Sequence, residues 1–372
     1  MMADLLEIAL QLNSERQIVH VDMDAFYAQV EMREHPEYRQ RQLILAEDPR
    51  HNGGHGVVAT ANYAARALGV HSAMSAVEAL RLAPDALFVR PNFTLYRAVS
   101  AQVHEIFHRY TDIVEGVAFD EAYLDVTANK LGFTAAIALA HHMQQTIFDE
   151  LHLTSSVGVS FNKFLAKLAS EHNKPVGFTF VGVDDIRSFL DPLPVGDIQG
   201  VGKQTEIKMK ELGIETGVQL YQTDQSTLLA HFGKMGYEFY RRIRGVDDRQ
   251  VEWQRERKSL GNERTFNPFL QSEEEVQAQL TRLAELLATA LTKRQMHGKT
   301  LVLKVRTEAF VTETKRLTQI DFYDNDALLF ERLAQEIWED LGGFQEGIRL
   351  LGLTMTGLAP VTFENLPLDL YH

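Results

Sequence analysis

The chain has 372 residues, 45% apolar and 24% charged, which is room for two or three domains with proper cores. It has no cysteine, so disulfides, thiolate zinc sites, cysteine-held iron–sulfur clusters and thiol nucleophiles are excluded, and any catalysis falls to carboxylates, histidine, hydroxyls, lysine or a bound metal. Lys plus Arg number 37 against 51 Asp plus Glu, a net charge of −14 that on average argues against a polyanionic partner.

Residues 1–12 carry Asp4 and Glu7 and no basic residue precedes Arg16, so the start lacks a signal peptide's positive region. No apolar run approaches the ~20 residues of a spanning helix, and the expectation is a soluble, cytoplasmic protein. Residues 17–22 read as a buried strand ending on acids, followed by a helix over 25–33. Strands at 43–46 and 57–60 around the glycine-rich turn 51–56 predict a small hairpin, with helices over 63–68 and 75–82. A strand at 87–89, a helix over 95–110, strands at 114–120 and 122–126, a helix over 133–151, a strand at 155–160 and a helix over 163–172 follow. Strands alternating with long helices indicate α/β layers.

From 183 to 245 the pattern is short and helical, punctuated by Gly200, Gly202, Gly213, Gly233 and Gly236. Residues 246–258 are charged and poor in aliphatics, a linker lying over a surface. Elements at 259–269, 273–297 (helix), 300–307 and 314–321 (strands), 327–341 (helix) and 348–358 (strand) make a second α/β unit, with no internal repeat. Charge is segregated here. Residues 293–316 hold Lys293, Arg294, Lys299, Lys304, Arg306, Lys315 and Arg316 against two acids, while 321–346 holds eight acids and one base, so a basic face on an acidic protein is possible.

The chemistry concentrates in Val21-Asp-Met-Asp-Ala-Phe-Tyr27 and Phe119-Asp-Glu-Ala-Tyr-Leu-Asp125, each setting carboxylates beside apolar strand residues. Read alone, each cluster is either a set of strand-end or turn acids or part of a divalent-metal site, since converging carboxylates must take up protons unless a cation neutralises them. His51 with His55, and His141 with His142, lack further zinc ligands and read as solvated histidines.

Five motifs occur in the order seen in one family: Asp22-Met-Asp-Ala-Phe-Tyr27, Val58-Ala-Thr-Ala-Asn-Tyr-Ala-Ala-Arg66, Asp120-Glu-Ala-Tyr-Leu-Asp125, Gly158-Val-Ser-Phe-Asn-Lys-Phe-Leu-Ala-Lys167 and Asn173-Lys-Pro175. The chain resembles the Y-family DNA polymerases from about residue 17 to 358. That resemblance implies an α/β (α+β) multidomain, right-hand architecture: an N-terminal extension 1–16, a palm of 17–27 and 92–181, fingers 28–91, a helical thumb 182–245 with a helix-hairpin-helix, the linker 246–258, a C-terminal α/β little finger 259–360 and a tail 361–372.

It also implies template-directed DNA synthesis of the translesion, low-fidelity type, on primer–template DNA with dNTPs and two Mg²⁺ ions, without proofreading and as a monomer. Fewer than twenty residues lie outside the assigned domains at each end, too few for an exonuclease domain. Asp22, Asp120 and Glu121 would be the catalytic carboxylates and, with the Met23 carbonyl, the metal ligands. Asp24 reads as either a structural acid or a further ligand, and Asp125 as structural. Tyr27 would be the steric gate against a 2′-hydroxyl; Thr60, Tyr63, Arg66 and Lys174 would line the triphosphate, and Ala59 the nascent base pair. Gly200, Gly202 and Lys203 would hold a DNA phosphate at a helix start, with Gln199 where relatives carry proline or histidine. Lys299, Lys304, Arg306, Lys315 and Arg316 would follow the DNA backbone along a strand. Leu368, Leu370 and Tyr371 resemble a sliding-clamp peptide with Pro367 in place of glutamine, a frayed terminus being the rival reading. A catalytically inactive DNA-damage adaptor and a palm-fold nucleotidyl cyclase are the competing functions.

Overall fold

Apolar residues at every position but two make Ile18–Met23 a strand buried on both faces, and this strand, β1, lies at the centre of the first sheet. The computed structural model describes residues 10–363, and the chain divides into two units with the boundary between Gln254 and Arg255, inside the expected linker.

In the first unit β1 is followed by α1 (Phe26–Glu34), β2 (Leu43–Leu45), β3 (Thr60–Ala61), α2 (Tyr63–Arg66), α3 (Ala76–Leu82), β4 (Leu87–Val89), α4 (Phe93–Tyr110), β5 (Val114–Gly116), β6 (Glu121–Asp125), α5 (Ala136–Leu151), β7 (Ser155–Ser160), α6 (Lys163–His172) and β8 (Phe178–Phe180). The five-stranded sheet has the order β5-β6-β1-β7-β8, antiparallel except for the parallel β7–β8 pair. Val19, Val21 and Met23 join residues of α4 and α5 in one core, whereas Ile18 shares the opposite face with Tyr123 and Ala166 of α6. Gly158 makes that second packing possible: a Cβ there would lie 2.0 Å from the Ala166 carbonyl oxygen, so only glycine lets α6 approach β7 this closely.

The expected hairpin at 43–60 is reduced. β2 pairs antiparallel with only the two residues of β3 and parallel with β4, while Val57 makes an isolated bridge to Ser75. An alanine-rich core under this small sheet includes Ala46, Ala61, Ala65, Ala76, Ala79 and Ala83. Five short helices follow: α7 (Ile186–Leu190), α8 (Lys203–Glu211), α9 (Gly217–Gln222), α10 (Gln225–Phe232) and α11 (Lys234–Arg242). The first part of the linker is tied down. Asp247, 6% exposed, accepts from the Phe164 amide at the start of α6 and from Arg249, and Glu115 accepts from Lys163 and from the Glu252 amide.

The second unit contains β9 (Ser259–Leu270), α12 (Glu273–Lys293), β10 (Met296–His297), β11 (Thr300–Thr307), β12 (Thr312–Thr318), α13 (Ala327–Asp340), β13 (Ile348–Thr356) and β14 (Ala359–Pro360). β12-β11-β13-β9 is an antiparallel sheet whose inner residues, Leu301, Leu303, Val305, Leu351, Leu353 and Met355, share one core with α12 and α13. The helix expected over 273–297 stops at Lys293, with Gln295 in the left-handed region, and the strand expected at 314–321 starts two residues earlier. Among the described residues no helix is long and apolar enough to cross a membrane.

Candidate active site

The antiparallel register of β1 and β6 sets Asp22 opposite Glu121, His20 opposite Tyr123 and Ile18 opposite Asp125. Directly opposed residues point to the same face, so the two acids stand side by side. The Met23 amide donates to the Asp120 carbonyl at 2.9 Å, which brings the third carboxylate to the same strand ends. Burial, then the negative charges of Asp22 and Glu121, push Asp120 up to about 6.

Two lysines face the other two acids. Lys174 Nζ lies 2.8 Å from Asp22 Oδ2, and Lys167 Nζ lies 2.5 Å from Glu121 Oε2 and 3.2 Å from Glu171. His20 and, more firmly because its contact is a full ion pair, Lys167 hold Glu121 down at about 2 against the opposing effect of burial. His20 is fully buried, bonded through Nδ1 to Ser170 Oγ at 2.8 Å, and burial lowers its pKa.

Asp24 does not join them. β1 ends at Met23, Ala25 turns into the left-handed region, and Asp24 is 1% exposed, accepting from Thr154 Oγ1, Ser156 Oγ and the Val176 amide at 2.7–3.0 Å, with Tyr63 Oη at 3.4 Å. Its lone pairs are committed, and it braces the turn between β1 and α1. Asp125 caps a turn through the Thr127 amide.

Asn62 organises the opposite wall. Buried at the N-cap of α2, it accepts from the Ala65 and Leu43 amides and donates to the Arg41 carbonyl, which sets the four-residue helix and aims Tyr63 and Arg66 from one face. Arg66 donates to the Ala61 carbonyl at 2.9 Å and to Thr60 Oγ1 at 3.1 Å, and its guanidinium lies over the Tyr63 ring. Burial and the Asp24 charge push Tyr63 up to about 12.

One cavity of about 330 Å³ is lined by Asp22, Met23, Tyr27, Ala59, Thr60, Tyr63, Arg66, Asp120, Glu121 and Lys174, every residue expected at the catalytic and nucleotide positions. Lys167, Glu171 and Ser72 also line it and were not singled out from sequence; for Lys167 the signal was its place closing a quoted motif. Among the described residues no three acids or histidines already form a metal cage, because Asp22 and Glu121 are drawn to lysines. The donor set is nevertheless one of hard oxygens, and Asp120 is raised by burial and by the two neighbouring acids, a cost that a bound cation would offset, so the residues fit a divalent cation.

The remaining expected positions lie elsewhere. Gly202 is the N-cap of α8, which starts at Lys203; Gly200 has φ +98°, and Arg242 supports the turn from behind by donating to the Gln199 carbonyl at 3.0 Å. In the second unit Lys304, Arg306 and Arg316 lie on the sheet face away from the helices, since Arg316 is opposite Val302 in register. Lys315 does not. It is opposite the core residue Leu303 and bonds to Asp340 at the end of α13, so the expectation that it lines the same face is corrected by strand parity. Lys304 is 2.7 Å from Glu263, and Lys299 precedes β11 with its ammonium over the Phe322 ring. His51, His141 and His142 are exposed, His141 stacked on Phe178 and His142 bonded to Tyr110. Leu368, Leu370 and Tyr371 lie outside the described residues.

Comparison with known proteins agrees with this geometry. Residues 21–171 match the impB/mucB/samB family, 257–368 the C-terminal domain of the same family, and 196–247 a thumb domain described as that of DNA polymerase-iota. The DNA polymerase IV of Streptococcus thermophilus (strain CNRZ 1066) is 44% identical over 365 residues, 98% of this chain and 99% of the relative. That of Streptococcus mutans serotype c is 46% identical over 356 residues, 96% of each. The solved structure of a Y-family DNA polymerase chimera superposes with a TM-score of 0.82 at 26% identity, covering 92% of this chain and 99% of that one. A cavity that joins paired strand-end acids to a lysine and arginine wall, on a chain this similar along its whole length, places the protein in the Y family of DNA polymerases, in the DNA polymerase IV group.

Proposed function

We propose that this cavity adds a templated deoxynucleotide to a primer 3′-hydroxyl with release of pyrophosphate, as in translesion synthesis of low fidelity. The observation that carries the reading is the convergence of Asp22, Asp120 and Glu121 with Arg66 and Lys174 around one space. The anionic side suits cations and the cationic side suits a triphosphate, an arrangement that a plain structural cluster does not need.

Dependence on a divalent cation accompanies the family. Asp22, Asp120 and Glu121, with the Met23 carbonyl, are assigned to two Mg²⁺ ions, whose chemistry when bound is to lower the pKa of the primer hydroxyl and to offset charge on the leaving phosphates. Thr60, Tyr63, Arg66 and Lys174 bind and orient the triphosphate, the guanidinium offering two parallel donors and the ammonium a point charge. Tyr27 excludes a 2′-hydroxyl, and the small Ala59 leaves room over the nascent base pair.

Backbone amides at Gly202 and Lys203 would take a DNA phosphate; a Cβ at Gly202 would meet nothing within 4 Å, so the approach is open. Lys304, Arg306 and Arg316 would meet the backbone of the duplex, reading position rather than sequence. Leu368, Leu370 and Tyr371 would engage a sliding clamp, tested by whether deletion after Glu364 lowers processivity with the clamp. The overall reading is tested by pyrophosphate release from dNTPs with and without primer–template. Release that needs both strands supports it; release without primer, with a cyclic nucleotide as product, would select the cyclase instead.

A further inference from the structure

Tyr27 and Glu31 lie one turn apart on α1 and so share one face of that helix. A single side chain of α4 engages both. The Tyr96 ring stacks on Tyr27 with centroids 4.5 Å and planes 17° apart, and the Tyr96 hydroxyl donates to Glu31 Oε1 at 2.6 Å. Tyr96 is 0% exposed and Glu31 5%, and neither lines the cavity that holds the acids.

The other rings packed near Tyr27 are Phe93 at 5.7 Å and Phe119 at 6.3 Å, both edge-on, and Phe26, tilted, at 5.6 Å between ring centroids. Such ring contacts prefer particular orientations but hold a ring's height only through shallow, broad minima. The hydroxyl–carboxylate bond differs, because it is charge-assisted and has a fixed length and direction. It ties the ring beneath Tyr27 to the same helix that carries Tyr27, which makes a closed triangle of stack, bond and helical turn. A buried carboxylate is costly to keep unless it does something that an apolar side chain could not do, and here packing alone would fill the space.

We propose that the Glu31–Tyr96 pair is a specificity-positioning device that sets the height of the Tyr27 ring and thereby the discrimination between deoxyribose and ribose. The inference rests on Tyr27 acting as the steric gate. Rejecting a 2′-hydroxyl depends on a clash of a fraction of an ångström in a close-packed space, so a ring free to sink loses discrimination without losing the deoxynucleotide.

The test is steady-state incorporation of dATP and ATP by the full chain opposite one templating base, for wild type, Tyr27→Ala, Glu31→Gln and the double variant Glu31→Met, Tyr96→Phe. The double variant removes both partners and leaves no orphaned buried group, and Glu31→Gln keeps an acceptor of equal size should the double variant fold poorly. The proposal predicts that the preference for dATP, as a ratio of kcat/KM, falls by roughly fivefold or more in the double variant and by less in Glu31→Gln, while kcat/KM for dATP stays within about twofold. If both nucleotides decline together at a constant ratio, the pair is only structural and the proposal is overturned. An unchanged ratio in the Glu31 variants beside a collapsed ratio in Tyr27→Ala overturns the positioning role and leaves the gate intact. An unchanged ratio in Tyr27→Ala removes the gate itself, and the proposal with it.

Discussion

Asp22 and Glu121 face each other as the end pair of two antiparallel strands, with Asp120 one residue further on. Like charges opposed across a ladder are destabilising, so the sheet closes on an unfavourable pair that other positive charge must offset. Lys174, just beyond α6, answers Asp22, and Lys167, in the middle of α6, answers Glu121, while Asp120 is the acid whose ionisation the surroundings resist.

That resistance gives a pH signature. The folded pKa of Asp120 is about 6, above the ordinary carboxylate value, so the folded state binds more protons than the unfolded one between about pH 4 and 6. Its contribution to stability is therefore greatest at the acid end of that window and is lost as pH rises through it. With chelator present at about pH 7.5, Asp120→Asn is expected to melt above wild type by an amount on the order of 1–3 kcal/mol, with the gap closing near about pH 4. Adding Mg²⁺ should raise the melting temperature of wild type and much less that of Asp120→Asn. Differential scanning calorimetry at several pH values checks both, and identical curves for the two proteins would contradict the account.

Arg66→Ala and Lys174→Ala each remove a cation from the triphosphate wall. A lost charged hydrogen bond to phosphate is worth roughly 1.5–3 kcal/mol, or about 10- to 150-fold in kcat/KM for dNTP. DNA affinity, measured by fluorescence anisotropy, should not move, which separates this wall from the duplex surface.

The sheet face of the second unit gives a matched pair of variants. Arg316→Ala should reduce the slope of log affinity for DNA against log salt by about one, as loss of one phosphate contact requires. Lys315→Ala, its neighbour, should leave the slope unchanged because that lysine is bonded to Asp340 on the helix side. Equal effects of the two would mean that the face is not the DNA surface.

Two glycines separate fold from function. At Gly158 a Cβ would stand 2.0 Å from the Ala166 carbonyl, so Gly158→Ala pushes α6 off the sheet and costs about 3 kcal/mol or more in chemical denaturation. Gly202→Ala meets nothing within 4 Å and should stay within about 1 kcal/mol of wild type, losing DNA affinity instead.

Much of the site was legible because its motifs are local. Asp22 with Tyr27, Tyr63 with Arg66, and Asp120 with Glu121 are each a few residues apart, and their order carried the resemblance. What escaped was set by register and packing. Lys315 and Arg316 are adjacent in sequence, but which one faces outward depends on where β12 pairs with β11, and composition alone treats both as basic. Asp24 could be placed off the acid cluster only once the strand was seen to stop at Met23 and the backbone to turn at Ala25. Glu31 and Tyr96 are 65 residues apart and carry no shared pattern. Lys167 reaches Glu121 only because Gly158 lets α6 lie close to the sheet.

The central claim is that the strand-end carboxylates drive templated synthesis. Primer extension on an undamaged primer–template with four dNTPs and Mg²⁺, comparing wild type with the Asp120→Ala, Glu121→Ala double variant, tests it most directly. The account predicts distributive extension by wild type and none by the variant, with DNA binding retained by both. Wild-type protein that binds the DNA in a salt-sensitive way yet does not extend the primer, or a double variant that extends as well as wild type, would contradict it.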